Sequence, residues 1–215
     1  GPIAGPNGQQ PGCVTITQSP SQSMALFNSV SCNNGAAGGF EHTDNSYYTA
    51  FTLTSFGINN AFDISSIDVG IEEATSGAAA RTKGENSISK KGKGESPVAS
   101  PNGAGQPMTV NLYTSNQPFP TGFPGSLTLI GTVDITVSDQ ALTVLNVPVT
   151  GTAPAGSQLV VEIFTPDGDA AGNSFFSGSN TAAETGPSFL RAPDCGVTTP
   201  VTTASIGVPN MHIVM

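Results

Sequence analysis

Apolar and polar residues alternate with a period of two over most of this chain. The runs are short and are broken by Gly, Pro, Asn and Ser, which predicts strands joined by turns rather than helices. In residues 47–54, Tyr47, Thr49, Phe51 and Leu53 share the face assigned to the core, and Tyr48, Ala50, Thr52 and Thr54 the other. In residues 64–73, Ile67, Val69 and Ile71 fall together while Asp68, Gly70 and Glu72 point away. Residues 108–114 alternate in the same way. Residues 127–137 and 142–149 read as an antiparallel pair, with Gly131 marking a bulge or a bend between sheets. Residues 159–180 read as a hairpin-like centre: a core strand over 159–165, an acidic turn, and a second strand. Further strands are expected at 13–18, 24–32, 188–191 on an edge, and 211–215.

About ten strands at this spacing, with no convincing helix, predict an all-β antiparallel β-sandwich of jelly-roll type. Residues 1–12 have almost nothing to bury and read as a linker, followed by one domain over 13–215. Residues 74–106 interrupt the rhythm. They are poor in apolar side chains and hold five of the six cations, so a flexible basic surface insertion with net charge +3 is expected there. Lys90, Lys91 and Lys93 lie within it and are candidate contacts for anionic glycans or for an acidic face of another subunit.

The remainder of the chain carries −12 of the overall −9, with Arg191 as its one cation. This balance argues against nucleic acid as a partner, because phosphate binding needs clustered cations. No apolar run approaches the roughly 20 residues of a membrane-spanning helix, so no membrane insertion is expected. The start has neither the charged nor the apolar region of a signal peptide, and the expectation is a fragment of a longer secreted protein. The Ser-, Thr- and Asn-rich, charge-poor composition fits an extracellular module.

The three cysteines, Cys13, Cys32 and Cys195, allow three pairings in an oxidising compartment. By loop entropy, closing Cys32 with Cys195 is worth roughly 5 kcal/mol against roughly 3 for Cys13 with Cys32.

Catalytic signatures are missing. The two histidines, His42 and His212, stand without a G-x-S-x-G elbow or zinc-ligand spacing, and Glu72 and Glu73 are assigned to opposite faces of one strand. His42, in the run Glu41, His42, Asp44, reads as a surface or packing residue. The turn Asp167, Asp169, Asn173 admits two readings, a structural Ca²⁺ site or a solvated acidic turn; Glu41, Asp44 and Asn45 form a second, less specific oxygen cluster. Phe119 and Phe123, on a Pro-rich loop, form either a stacking platform for sugars or a lid folded back on the core.

The segments TDNSYYTAF at 43–51, VEIFTPDGDAAGNSFFSGSN at 161–180, and PSFLRAPDCGVTTPVTTASIGVPNMHIVM at 187–215 resemble an uncharacterised β-rich domain. That domain recurs in large secreted and cell-surface bacterial proteins. With the strands between them, these segments cover most of residues 14–215. The resemblance implies an accessory or surface role without an established catalytic residue. It also implies that Cys32 and Cys195 are the regular pair and Cys13 the odd one. The basic segment is longer than the family's usual connection, so its role would be particular to this chain. Together these readings give a non-catalytic extracellular recognition or adhesion module, with a glycan or matrix component as partner. The rival reading is a filament or surface-layer subunit that binds copies of itself through the apolar strand 211–215.

Overall fold

Residues 13–34, 40–77, 86–90 and 103–215 are described by a computed structural model. It is all-β apart from 3-10 turns at Leu53–Phe56, Pro193–Cys195 and Thr203–Ile206. The longer strands are β2 (Asn45–Thr52), β3 (Phe62–Thr75), β5 (Gln106–Ser115), β6 (Leu127–Val137), β7 (Gln140–Ala153), β8 (Gln158–Thr165), β11 (Ser188–Ala192) and β12 (Val197–Thr202). The short ones are β1 (Ser31–Asn33), β4 (Ser87–Ser89), β9 (Ser174–Ser177), β10 (Ser179–Asn180) and β13 (His212–Ile213).

All pairings are antiparallel. A six-stranded sheet runs β12-β11-β2-β8-β5-β6 and a three-stranded sheet β7-β3-β9, with ribbons β1-β4 and β10-β13 beside them. One core lies between the sheets: Tyr47, Phe51, Val110, Leu112, Val161 and Ile163 meet Ile64, Val69, Ile71, Val147, Val149 and Phe175. Alternation along each strand produces this, because only every second residue can point inward. A second, smaller cluster sits on the outer face of the large sheet, where Tyr48, Ala50, Val160 and Phe189 are covered by Phe119. Both faces of β2 and β8 are therefore buried, and the outer assignment of Tyr48 and Ala50 holds without exposing them.

Two expected pairings are corrected. The stretch 159–180 is no hairpin: β8 pairs with β2 and β5 in the large sheet, β9 pairs with β3 in the small one, and residues 166–173 carry the chain between them. Likewise β6 pairs with β5 and β7 with β3. Periodicity defines faces but not partners, and a short link can turn a sandwich corner as well as close a hairpin. Gly131 does mark a bulge, since Leu112 opposes Gly131 while Tyr113 opposes Leu129, leaving Ile130 extra. A Cβ on Gly131 would overlap the Thr150 carbonyl oxygen, so the close approach of β6 to β7 requires glycine.

The N-terminal strands are corrected too. Residues 13–18 form no strand; Thr17 Oγ1 donates to Met215 O at 2.9 Å and Gln18 Nε2 to Ala50 O. Of 24–32 only the end is strand, because the backbone N–H groups of Phe27, Asn28 and Ser29 donate to the Glu72 carboxylate at 2.8, 3.3 and 2.9 Å. A side chain thus takes the place of a neighbouring strand. Phe27 lies in the left-handed region at φ 59°.

The basic segment is narrower than expected. Ala74 and Thr75 complete β3, Gln106 opens β5, and β4 pairs with β1. Lys90 is exposed just after β4, while Lys91 and Lys93 lie outside the described residues, as does the linker 1–12.

Strand 211–215 shrinks to β13, and Met211, Ile213, Val214 and Met215 are buried. Val214 N donates to Gly178 O at 2.9 Å and Gly70 N to Val214 O at 2.9 Å, so this is not the open apolar edge that self-association required. Cys32 and Cys195 form a disulfide with Cα atoms 5.9 Å apart, and Cys13 is free and exposed. Among the described residues no helix is long and apolar enough to cross a membrane.

Candidate functional site

The register of the large sheet aligns polar and aromatic residues on its outer face. Thr132, Asn111, Glu162, Tyr48 and Phe189 form one cross-strand row from β6 to β11. On one side lies the row Leu129, Tyr113, Val160, Ala50, and on the other Asp134, Thr109, Phe164, Ser46, Arg191. Glu162 is central. It is only 7% exposed, although it stands on the sheet's outer face.

Three side chains hold its carboxylate. Tyr48 OH donates to Oε1 at 2.6 Å, while Tyr113 OH and Asn111 Nδ2 donate to Oε2 at 2.8 and 3.0 Å. Asn111 Oδ1 in turn accepts from Thr132 Oγ1 at 2.7 Å, which orients the amide. Burial, reinforced by the neighbouring Glu162 charge, pushes both tyrosine hydroxyls above their ordinary pKa, so they remain donors across the physiological range. A carboxylate has roughly four acceptor positions. With Oε2 taking two hydrogen bonds and Oε1 one, Oε1 retains one position for an incoming hydroxyl.

The loop 116–126 roofs one side. The ring of Phe119 lies 4.9 Å from that of Phe189 and 5.2 Å from that of Tyr48, and its N–H donates to Gln158 Oε1 at 2.8 Å. Phe119 is therefore buried as a lid anchor, the second of its two readings, and is not an exposed stacking platform for a ligand. Phe123 is half-buried and stands edge-on to Tyr48 at 6.3 Å. With Pro124, Leu127 and Leu129 it walls a cavity of about 230 Å³, whose polar lining is Tyr48, Tyr113, Glu162 and Arg191. Leu129, 53% exposed, leaves this cavity open to solvent. Arg191 Nε donates to Thr198 O at 3.2 Å. Among the described residues no carboxylate lies within ion-pair distance of its guanidinium.

A larger hollow of about 660 Å³ lies where β6 meets β7, lined by Asp63, Ile64, Ile130, Thr150, Gly151 and Thr152. Among the described residues its one carboxylate, Asp63, already accepts from Thr152 Oγ1 at 2.7 Å, and no aromatic ring lines it.

The acidic turn is only partly assembled as expected. Asp167 Oδ1 accepts from Asp169 N at 2.9 Å, and Asp169 Oδ1 accepts from Asn34 Nδ2 at 2.7 Å. Asn173 turns elsewhere: its Oδ1 faces Gly77 N at 3.4 Å and its carbonyl accepts from His42 N. Among the described residues no three His, Cys, Asp or Glu side chains converge as a metal would need. Asp44 has its carboxyl pushed up by burial first and by the Asp194 charge second, with the Arg191 charge opposing and Asp167 adding less.

Of the two readings of His42, surface or packing, the structure gives packing. The side chain is buried, with Nδ1 2.8 Å from Thr43 O and Nε2 2.9 Å from Gln106 Oε1. Gln106 Nε2 donates to Thr75 O and Ser174 O, so its Oε1 must face the ring. Desolvation pushes the imidazole below its usual range. His212 packs at the other end of the chain, Nδ1 beside Ala182 O and Nε2 3.9 Å from Glu184.

Of the expected ligand contacts, the structure brings Phe123 to the cavity and Phe119 beneath it, and leaves Lys90 outside the large sheet. Sequence reasoning missed Glu162, Tyr48, Tyr113 and Asn111. One signal was available: Glu162 interrupts the most apolar strand of the chain, where an isolated charge must be held by partners. No protein-family model, curated protein or solved structure matches this chain.

Proposed function

We propose that this domain is a non-catalytic extracellular recognition module that binds carbohydrate on the outer face of its six-stranded sheet. The observation that carries this reading is Glu162, fixed by Tyr48, Tyr113 and Asn111 at the floor of a cavity whose wall is Phe123. Sugars are recognised by a rigid array of planar acceptors and donors beside an aromatic or apolar edge. Such an array costs little reorganisation because its rotamers are already locked. Among the described residues Glu162 is the one carboxylate lining the cavity, whereas glycoside hydrolysis uses two flanking the bond, so the reading is binding rather than turnover. The Cys32–Cys195 bridge and the charge-poor polar composition support secretion. Copies of the chain are a weaker partner, since residues 211–215 are covered.

The test is a glycan and matrix-component array probed with the wild type and with Phe123→Ala. Binding that the variant loses, while its melting temperature stays near wild type, supports the reading. Binding to no glycan or matrix component contradicts it.

A further inference from the structure

We infer that the cavity takes a sugar residue bearing an anionic group, held by Arg191; this rests on the recognition reading and names its ligand class. In a chain with fifteen Asp and Glu against six Lys and Arg, a guanidinium has many carboxylates to pair with. Arg191 instead lines the cavity: its Nε donates to the Thr198 carbonyl, and among the described residues no carboxylate comes within ion-pair distance of it, Asp44 feeling its charge only from farther away. A guanidinium fork in that position matches a carboxylate or sulfate ester in bidentate geometry.

The far end of the cavity has the opposite demand. Glu162 retains an acceptor position on Oε1, which a sugar hydroxyl can fill by donating. Arg191 stands on β11 and Glu162 on β8, with β2 and its Tyr48 between them. Two strand spacings and a two-residue offset along the strands set their Cα atoms about 12 Å apart, a span that one sugar ring and its substituent bridge once the side chains reach inward. The separation also keeps the ligand's charge next to Arg191 and away from Glu162. With a volume of about 230 Å³ the cavity admits a single unit or a chain end, its apolar edge against Phe123 and Leu129.

The test is calorimetric titration of the full chain near 0.15 M salt with three oligosaccharide sets: uronate-containing, sulfated, and neutral. Wild type and Arg191→Gln are compared, with Arg191→Lys in place of the latter if it does not fold. Expected is binding of the uronate or the sulfated set at least about tenfold tighter than the neutral set, with most of that margin lost in Arg191→Gln and only part of it in Arg191→Lys. Whichever anionic set binds identifies the group on Arg191. Neutral glycans bound as tightly as anionic ones overturn the inference and leave the recognition reading standing; no glycan bound at all overturns both. Anionic binding that survives loss of Arg191 also overturns it, since the basic residues between 74 and 106 then account for the attraction.

Discussion

Glu162 stands directly opposite Tyr48 in the β2–β8 ladder and accepts its phenolic hydrogen at 2.6 Å, which joins the centre of the large sheet to the floor of the candidate site. Tyr48→Phe removes that donor but keeps the ring. The loss of a hydrogen bond to a charged, buried acceptor is expected to cost about 1.5–3 kcal/mol in urea or guanidinium unfolding, with little change in m-value. An unchanged midpoint contradicts the proposed role of Tyr48 as a fixing group for Glu162.

Glu72 predicts an unusual pH response. Burial raises its carboxyl to about 6 from 4.5, against the pull of the N–H groups of Ser29, Phe27 and Asn28. A raised folded-state pKa contributes stability that is present below about 4.5 and lost as pH rises through about 6. Glu72→Gln mimics the protonated form. Its stability relative to wild type is therefore expected to improve between pH 4.5 and 7, by about 2 kcal/mol. Parallel unfolding curves at both pH values contradict this.

His42 acts in the opposite sense. Its folded-state pKa is depressed by burial, so its contribution is present above its unfolded value near 6.5 and lost as pH falls through that value and below it. Melting temperature is expected to fall with acidification across this window, and less steeply in His42→Gln. An equal slope in both proteins rules out His42 as the source.

The Cys32–Cys195 bridge closes a loop of 163 residues' separation. By the loop-entropy model it is worth up to about 5 kcal/mol. At about 2–4 °C per kcal/mol for a chain of this size, Cys195→Ser is expected to lower the melting temperature by about 10 °C or more. Cys13→Ser, exposed and unbridged, is expected to leave it unchanged. Scanning calorimetry of the two variants decides the matter.

Gly131→Ala places a methyl where the Thr150 carbonyl oxygen already lies. The edges of β6 and β7 must separate to admit it, at an expected cost of about 1–3 kcal/mol by denaturant titration. A neutral substitution contradicts the close approach that fixes this corner.

Local pattern made the faces of β2, β3 and β5 legible, because Tyr47, Val69 and Val110 follow the period of two that burial on one side imposes. Partnership was not legible. The break between Thr165 and Ser174 looks the same whether the chain folds back on itself or crosses to the other sheet. The irregular course of residues 24–30 was hidden as well, since it depends on Glu72, a side chain more than 40 residues away that takes the backbone donors. The loop with Phe119 and Phe123 was visible as a candidate, but its partners Glu162, Tyr48 and Arg191 come from three separate strands. Only the register sets them on one face.

The location of binding is the central claim, and amide chemical-shift mapping with a glycan selected on the array tests it most directly. Perturbations are expected to cluster at Tyr48, Asn111, Tyr113, Phe123, Glu162 and Arg191. Perturbations confined to Lys90 and its neighbours, or to the turn at 166–173, with the outer face of the large sheet silent, contradict it.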